Sequence, residues 1–180
     1  MYFEDKLIKQ LDIVKIGEPI LKQIAEPVSD TSADIIQTLI DDMLLTLHDS
    51  QGVGIAAPQV NKAVRVIIVA SHPNARYPDA PSMEPLAMIN PLIISVSKEQ
   101  ESGWEGCLSV PGKRGLVARA TSLRLRYLDR NGALNETEYM GFLARIVQHE
   151  VDHLDGICFV DRVKDASNII SEEEYFQIDL

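Results

Sequence analysis

The clearest periodicity in the chain falls between residues 33 and 48. Ile36, Leu39, Ile40, Met43, Leu44 and Leu47 recur at helical spacing, while Asp34, Gln37, Asp41 and Asp42 lie on other faces. The pattern predicts an amphipathic helix with Ser32 as its N-cap, ended by Gly52-Val53-Gly54. Residues 11–30 read as a short extended piece and then a turn opened by Gly17 and Pro19. Ala63–Ala70, rich in Val and Ile, reads as a buried strand. Ser71–Pro85 carries Pro73, Pro78, Pro81 and Pro85 and reads as a long irregular loop. Leu86–Val96 reads as a second strand with a break near Asn90-Pro91. Leu123, Leu125 and Tyr127 alternate with Arg124, Arg126 and Leu128, which predicts another strand. Asn131-Gly132 is a hairpin signal, because both residues accept positive φ, and Ala133–Tyr139 would be the returning strand. From about Met140 to Leu154 the period is helical again, with apolar residues on several faces and Gly156 placed to end it. Such a helix belongs inside the protein. The expected class is α+β, with antiparallel sheets surrounding one central helix.

Composition narrows the picture. At 180 residues and 46% hydrophobic, the chain is expected to form a single domain, 1–180, with its own core. Residues 1–10 read as an N-terminal extension and 164–180 as an acidic C-terminal tail. Two cysteines, Cys107 and Cys158, are too few for a disulfide framework. No apolar stretch is long enough to cross a bilayer. Met1–Lys6 lacks the basic-then-apolar pattern of a signal peptide. The expected compartment is the cytoplasm, with no membrane partner. A net charge of −10 argues against gripping nucleic-acid phosphates over a wide surface.

The candidate chemistry sits on the second helix, in His149-Glu150-Val151-Asp152-His153. Histidines at i and i+4 share one face and can both reach one divalent metal. Glu150 points about 100° away from His149 around the helix. It can serve a water at the metal as general base without being a ligand. A hydrogen-bonded pair of core histidines is the plain structural alternative. Phe142 and Ile146 share the face of His149 and His153.

Two helical ligands leave a tetrahedral site one protein ligand short. In one class of zinc peptidase a third histidine follows, but here Phe159 stands in that place. Another class uses a glutamate about twenty residues downstream, where Glu172, Glu173 and Glu174 lie. Cys107, Cys158, His48 and His72 are further candidates. Gly106 before Cys107 allows the close backbone approach that a metal site or a substrate groove needs.

Three segments in order carry a resemblance: Gly52-Val53-Gly54-Ile55-Ala56-Ala57-Pro58-Gln59, Glu105-Gly106-Cys107-Leu108-Ser109 and Gln148-His149-Glu150-Val151-Asp152-His153. Together they resemble peptide deformylase, which removes the N-formyl group from new polypeptides, and the likeness runs from about Leu11 to about Val163. The resemblance implies Cys107, His149 and His153 as metal ligands with water in the fourth position. It implies Glu150 as general base and then general acid. The Gln59 side-chain amide and the Leu108 backbone N–H would hold the developing oxyanion. Val53, Phe142 and Ile146 would shape a methionine pocket, with Gly54 and Gly106 admitting the peptide as an added strand. Arg114 would contact the peptide beyond methionine or pair with Glu105. Asp152 would support the site, with Arg119 as its partner. The family's native metal is ferrous iron, replaceable by nickel, cobalt or zinc. The implied partner is a formyl-methionyl nascent peptide. Some members dock on the ribosome through a basic C-terminal helix. Asp161–Leu180 instead holds six acidic and two basic residues, which argues against that docking mode.

Overall fold

The computed structural model describes residues 8–73 and 77–178. In chain order it places α1 (Asp34–Ser50), β1 (Gly54–Ala56), β2 (Val66–Ser71), β3 (Met83–Val96), β4 (Gln100–Cys107) and β5 (Val110–Ala120). There follow β6 (Ser122–Leu128), β7 (Leu134–Met140), α2 (Gly141–Leu154), α3 (Phe159–Arg162), β8 (Ile169–Ser171) and α4 (Glu172–Tyr175). Two antiparallel sheets result, one in the order β1-β2-β3-β6-β7 and one in the order β4-β5-β8. The α+β arrangement with an inner helix is as expected.

Helix α2 lies between the layers. Ala144, Ile146, Val147, Val151 and Leu154 pack with Ile67, Val69, Met88, Leu123 and Leu125 of the five-stranded sheet. The opposite face of that sheet is covered by α1, through Ile36, Leu39, Ile40, Met43 and Leu47. Strand β2 is therefore buried along its whole length, which explains its continuous apolar run. A smaller cluster of Cys107, Val110, Val117 and Phe159 joins the β4–β5 hairpin to α3. Among the described residues, no helix is long and apolar enough to cross a membrane.

Several expectations change. Ala33, not Ser32, is the α1 N-cap, with no side-chain cap bond. Ser32 instead donates its hydroxyl to Asp30 at 2.6 Å. Asp42 is buried rather than on the wet face of α1, and accepts from the Lys9 backbone N–H at 2.9 Å. The proline-rich loop is shorter than expected, because Pro85 already lies in β3. The break at Asn90 is real. That residue has φ 51°, and its side chain exchanges two 2.8 Å bonds with the Val28 backbone. In the β6–β7 connection only Gly132 takes a positive φ, at 81°. The Asp129 carboxylate holds the Asn131 and Ala133 N–H groups, giving a longer loop than a two-residue turn.

Two features lay outside the sequence pattern. Strands β4 and β5 form a long hairpin that no alternation announced. The acidic C-terminal segment is also not simply solvated. Its β8 adds to the β5 edge with Arg114 opposite Ile170, and α4 follows directly. Of the N-terminal extension, residues 1–7 lie outside the described residues.

Candidate metal centre and active site

The Gln148–His153 motif folds as the C-terminal half of α2, whose turns face both sheets. Gln148 docks this helix on β5 by exchanging bonds with the Ala120 backbone at 3.0 and 3.1 Å. Cys107 arrives at the end of β4, opposite Val110 across the hairpin. Cys107, His149 and His153 are all buried, and their ligand atoms lie within 4.8 Å of one another. His153 Nε2 is 3.2 Å from Cys107 Sγ. One soft thiolate and two imidazoles suit a divalent first-row metal, so the donor set fits the expected cation. His48, by contrast, has a largely exposed side chain and contacts Asp49. Cys158, His72, Glu172, Glu173 and Glu174 are not part of the cluster either.

The ring orientations are fixed from behind. His149 Nδ1 lies 2.9 Å from Glu105 Oε2, leaving Nε2 for the cluster. Glu105 is itself held by Arg119, at 2.9 and 3.0 Å, and by Arg145 at 2.9 Å. Arg119 also donates to Asp152, which takes a second arginine, Arg162. The expected Arg119–Asp152 pair is thus present, inside a larger alternating network. Glu105, Arg145 and Arg162 were not foreseen as its members. The adjacency of Glu105 to the Gly106-Cys107 motif was the one available signal.

Electrostatics follow from this burial. Burial alone would raise Glu105, but hydrogen bonds from His149 and Arg119 hold it well below the usual carboxylate range. Burial would likewise raise the Cys107 thiol. The charge on His153 and bonds from both histidines instead bring it well below the usual thiol range. Burial would lower His153, yet the Cys107 thiolate lifts it to about 10. His149 is also raised, against burial, by Cys107 and Glu105. Glu150 behaves differently. Burial pushes it up to about 7, against the pull of the His149 and His153 charges and with the Cys107 and Glu105 charges adding to burial.

Glu150 Oε2 is buried with no hydrogen-bond partner among the described residues. Gly54 makes its position possible, since a Cβ there would lie 2.8 Å from Glu150 Cδ. Gln59 belongs to a 3-10 turn, Ala57–Val60, after β1. Its Oε1 accepts from the Ala56 N–H at 2.8 Å, which aims Nε2 at Cys107 Sγ (3.4 Å) and Ser109 Oγ (3.2 Å). Leu108 occupies the hairpin turn beside Cys107, and its carbonyl accepts from Lys15 at 3.0 Å. The N-terminal segment braces the backbone on either side, with Val14 N–H donating to the Gln59 carbonyl and Ile16 N–H to the Ser109 carbonyl at 2.9 and 2.8 Å.

The substrate-pocket candidates also meet. Val53, Gly106, Phe142 and Ile146 line one small cavity with Trp104, Tyr77 and His149. Gly54, Gln59, Cys107 and Leu108 line a second that shares Val53, Tyr77, Gly106 and His149 with the first. Arg114 does not make the expected pair with Glu105. Its side chain is fully buried, and it pairs with Glu172 instead.

Comparison with known proteins gives a consistent result. The family model described as polypeptide deformylase matches residues 10–168. The chain is 52% identical over 168 residues to Peptide deformylase 2 of a Nostoc species, covering 93% of this chain and 94% of that relative. It is 47% identical over 154 residues to Peptide deformylase 2 of Shewanella oneidensis, covering 86% and 84%. The fold is similar to a crystal structure of the class I type b peptide deformylase from Acinetobacter baumannii with Met-Ala-Ser bound. That match has TM-score 0.85 and 52% identity, over 87% of this chain and 100% of the other.

Proposed function

The chain belongs to the polypeptide deformylase family, and on that premise we propose that Glu150, Gln59 and Leu108 carry its chemistry beside a cation held by Cys107, His149 and His153. The enzyme removes the N-formyl group from newly made polypeptides and releases formate. When bound, a divalent cation supplies Lewis acidity and lowers the pKa of a water molecule. Glu150 takes the proton from the attacking water and returns it to the departing amine nitrogen. Burial, which disfavours the charged carboxylate, suits a group that must hold a proton and then return it. Charge gathers on the formyl oxygen, where the Gln59 amide and the Leu108 N–H donate. The anchored Oε1 of Gln59 supports this role, because it leaves only the N–H bonds facing the cleft. Val53, Phe142 and Ile146 receive the methionine side chain, with Gly54 and Gly106 flanking the peptide backbone.

One observation carries this reading: a buried carboxylate with an unpartnered oxygen beside a Cys–His–His donor set. A purely structural metal site has no use for such a group. The test is formate release from a formyl-methionyl tripeptide, with Cys107→Ser and Glu150→Ala alongside. Formate from the parent and almost none from either variant is expected. Full activity in Glu150→Ala would overturn the assignment.

The native metal in this proposal is ferrous iron. The donor set of one thiolate and two imidazoles accepts ferrous iron, and a thiolate beside iron would be open to oxidation in air. Iron-loaded protein should lose activity in air faster than nickel-loaded protein, and equal decay would contradict the choice. In this role the enzyme works in the cytoplasm on nascent chains. The acidic segment 161–178 does not supply a basic ribosome-docking helix.

A further inference from the structure

The two oxyanion donors stand on different sheets. Gln59 follows β1 of the five-stranded sheet, and Leu108 turns the hairpin between β4 and β5 of the smaller one. Three consecutive residues of the N-terminal segment span the gap. Val14 N–H donates to the Gln59 carbonyl at 2.9 Å and Ile16 N–H to the Ser109 carbonyl at 2.8 Å. Between them, Lys15 Nζ donates to the Leu108 carbonyl at 3.0 Å. The residues that follow keep this strap in place. Glu18 N–H returns to the Lys15 carbonyl at 3.1 Å, and Gly17 takes φ 105° inside that turn, a conformation that favours glycine. Pro19 then opens a 3-10 turn, Pro19–Lys22, anchored by the buried Leu21.

The Lys15 bond acts on one peptide unit. The Leu108 carbonyl and the Ser109 N–H belong to the same planar trans unit, so fixing one end aims the other. That Ser109 N–H donates to Cys107 Sγ at 3.4 Å. An ammonium therefore sits at the oxygen end of a peptide dipole whose N–H end meets the thiolate. Bonds in such a chain strengthen one another. The Leu108 N–H is confined in turn. On one side of it Cys107 belongs to the metal cluster, and on the other lies the pinned peptide unit.

We propose that Lys15 is a positioning residue for the reaction. It orients the Leu108–Ser109 peptide unit, and through it both the oxyanion donor and the surroundings of the Cys107 sulfur. Lys15 is exposed and lines neither of the small cavities at the centre, so it touches no substrate. Its effect is largest when the formyl oxygen carries charge, and it therefore acts on turnover more than on binding.

The inference rests on the deformylase reading of the same site, and the test separates the two. The metal-loaded full chain is compared with Lys15→Met and Lys15→Arg. Because the side chain is exposed, both variants should fold with Tm little changed. On a formylated tripeptide, Lys15→Met should lose roughly three- to tenfold in kcat, the worth of one ordinary hydrogen bond, with KM unchanged. Lys15→Arg keeps a charged donor and should recover most of the rate. Calorimetry with the product peptide Met-Ala-Ser, which has no formyl oxygen, should give one Kd for all three proteins. In the cobalt-loaded protein, the thiolate-to-metal absorption band should move to longer wavelength in Lys15→Met and return in Lys15→Arg. A merely structural lysine would not move that band. Unchanged kcat in Lys15→Met overturns the proposal. So does a loss that falls on KM or Kd instead, or an arginine variant as impaired as the methionine one. A parent that binds Met-Ala-Ser but releases no formate defeats the deformylase reading. The cobalt band needs no turnover and still decides this one, and an identical band in parent and Lys15→Met overturns it.

Discussion

Gly54→Ala isolates the placement of the general base. Gly54 pairs with Val69 in β1, and its missing side chain faces Glu150. A Cβ at this position would stand 2.8 Å from Glu150 Cδ and 2.9 Å from Cγ. Carbon atoms rest at about 3.5–4.0 Å, so the carboxylate must retreat by roughly 1 Å. Glu150 is buried and cannot swing into solvent to do so. Overpacking of this kind costs about 1–3 kcal/mol of stability. A 1 Å misplacement of a reacting group costs about 10²-fold in rate, or about 2.7 kcal/mol of barrier. The expected variant folds with a lower Tm, keeps its metal and loses about two orders of magnitude in kcat. Formate release at saturating substrate, metal content by elemental analysis and a melting curve measure the three quantities. A well-folded variant with kcat within threefold of the parent would refute the claim that Glu150 works from this position.

Three further outcomes are expected. Gln59→Ala should retain its metal and lose kcat by the equivalent of about 2.7–4 kcal/mol; near-normal turnover would exclude the oxyanion role. Glu105→Gln should weaken metal affinity about 10- to 100-fold in chelator competition, because His149 loses its orienting carboxylate; since Glu105 is held below its ordinary value near 4.5, the stability it contributes is present above that pH and is lost as pH falls through and below it, so the acid limb of a stability-against-pH curve should flatten in the variant. Metal uptake near neutral pH should expel protons, because His149 and His153 are both raised and must be neutral to bind; calorimetry in two buffers of different ionisation enthalpy measures the release, and none at all would contradict the thiolate–imidazolium arrangement.

The elements that periodicity reveals are those with one apolar and one polar face. Strand β6 shows this in Leu123, Leu125 and Tyr127 against Arg124 and Arg126, as does α1 in Ile36, Leu39, Ile40, Met43 and Leu47. The β4–β5 hairpin hides because the rule is inverted there. Glu105, Arg114 and Arg119 point inward and are buried, so polar letters mark the covered side. Each is satisfied by a partner distant in sequence, and no local pattern encodes such a partner. The same reason explains Asp42, read as a wet-face residue but tied to the Lys9 backbone. In the site, the two histidines announce themselves because a helix repeats at a known interval. The third ligand comes from a hairpin whose approach to α2 is a tertiary fact, and spacing alone left several candidates for it. Tyr77 escaped notice because it sits among prolines, where sequence says only that the chain is irregular. The Arg119–Asp152 pair was legible as chemistry, but its extension to Arg162 and Arg145 required the packing of α3 and β4 against α2.

The ligand set has a mechanical side. One donor comes from the tip of a hairpin and two come from a helix in another layer, and Cys107 and His153 stand 46 positions apart in the chain. A bound ion is therefore also a clip, fastening the smaller sheet to the helix by closing a long loop. The two layers do not depend on it equally. The five-stranded sheet has α1 on one face and α2 on the other. The smaller sheet brings only Cys107, Val110 and Val117 to its own buried cluster with Phe159. Chelation should loosen β4 and β5 first, and β8 with them, since among the described residues β8 pairs with β5 alone. Faster amide exchange would spread along that sheet while β2 and β3 stay protected. Stripping the cation thus changes how the fold is fastened as well as removing the catalyst. The acidic segment that ends the chain would be among the first parts set free.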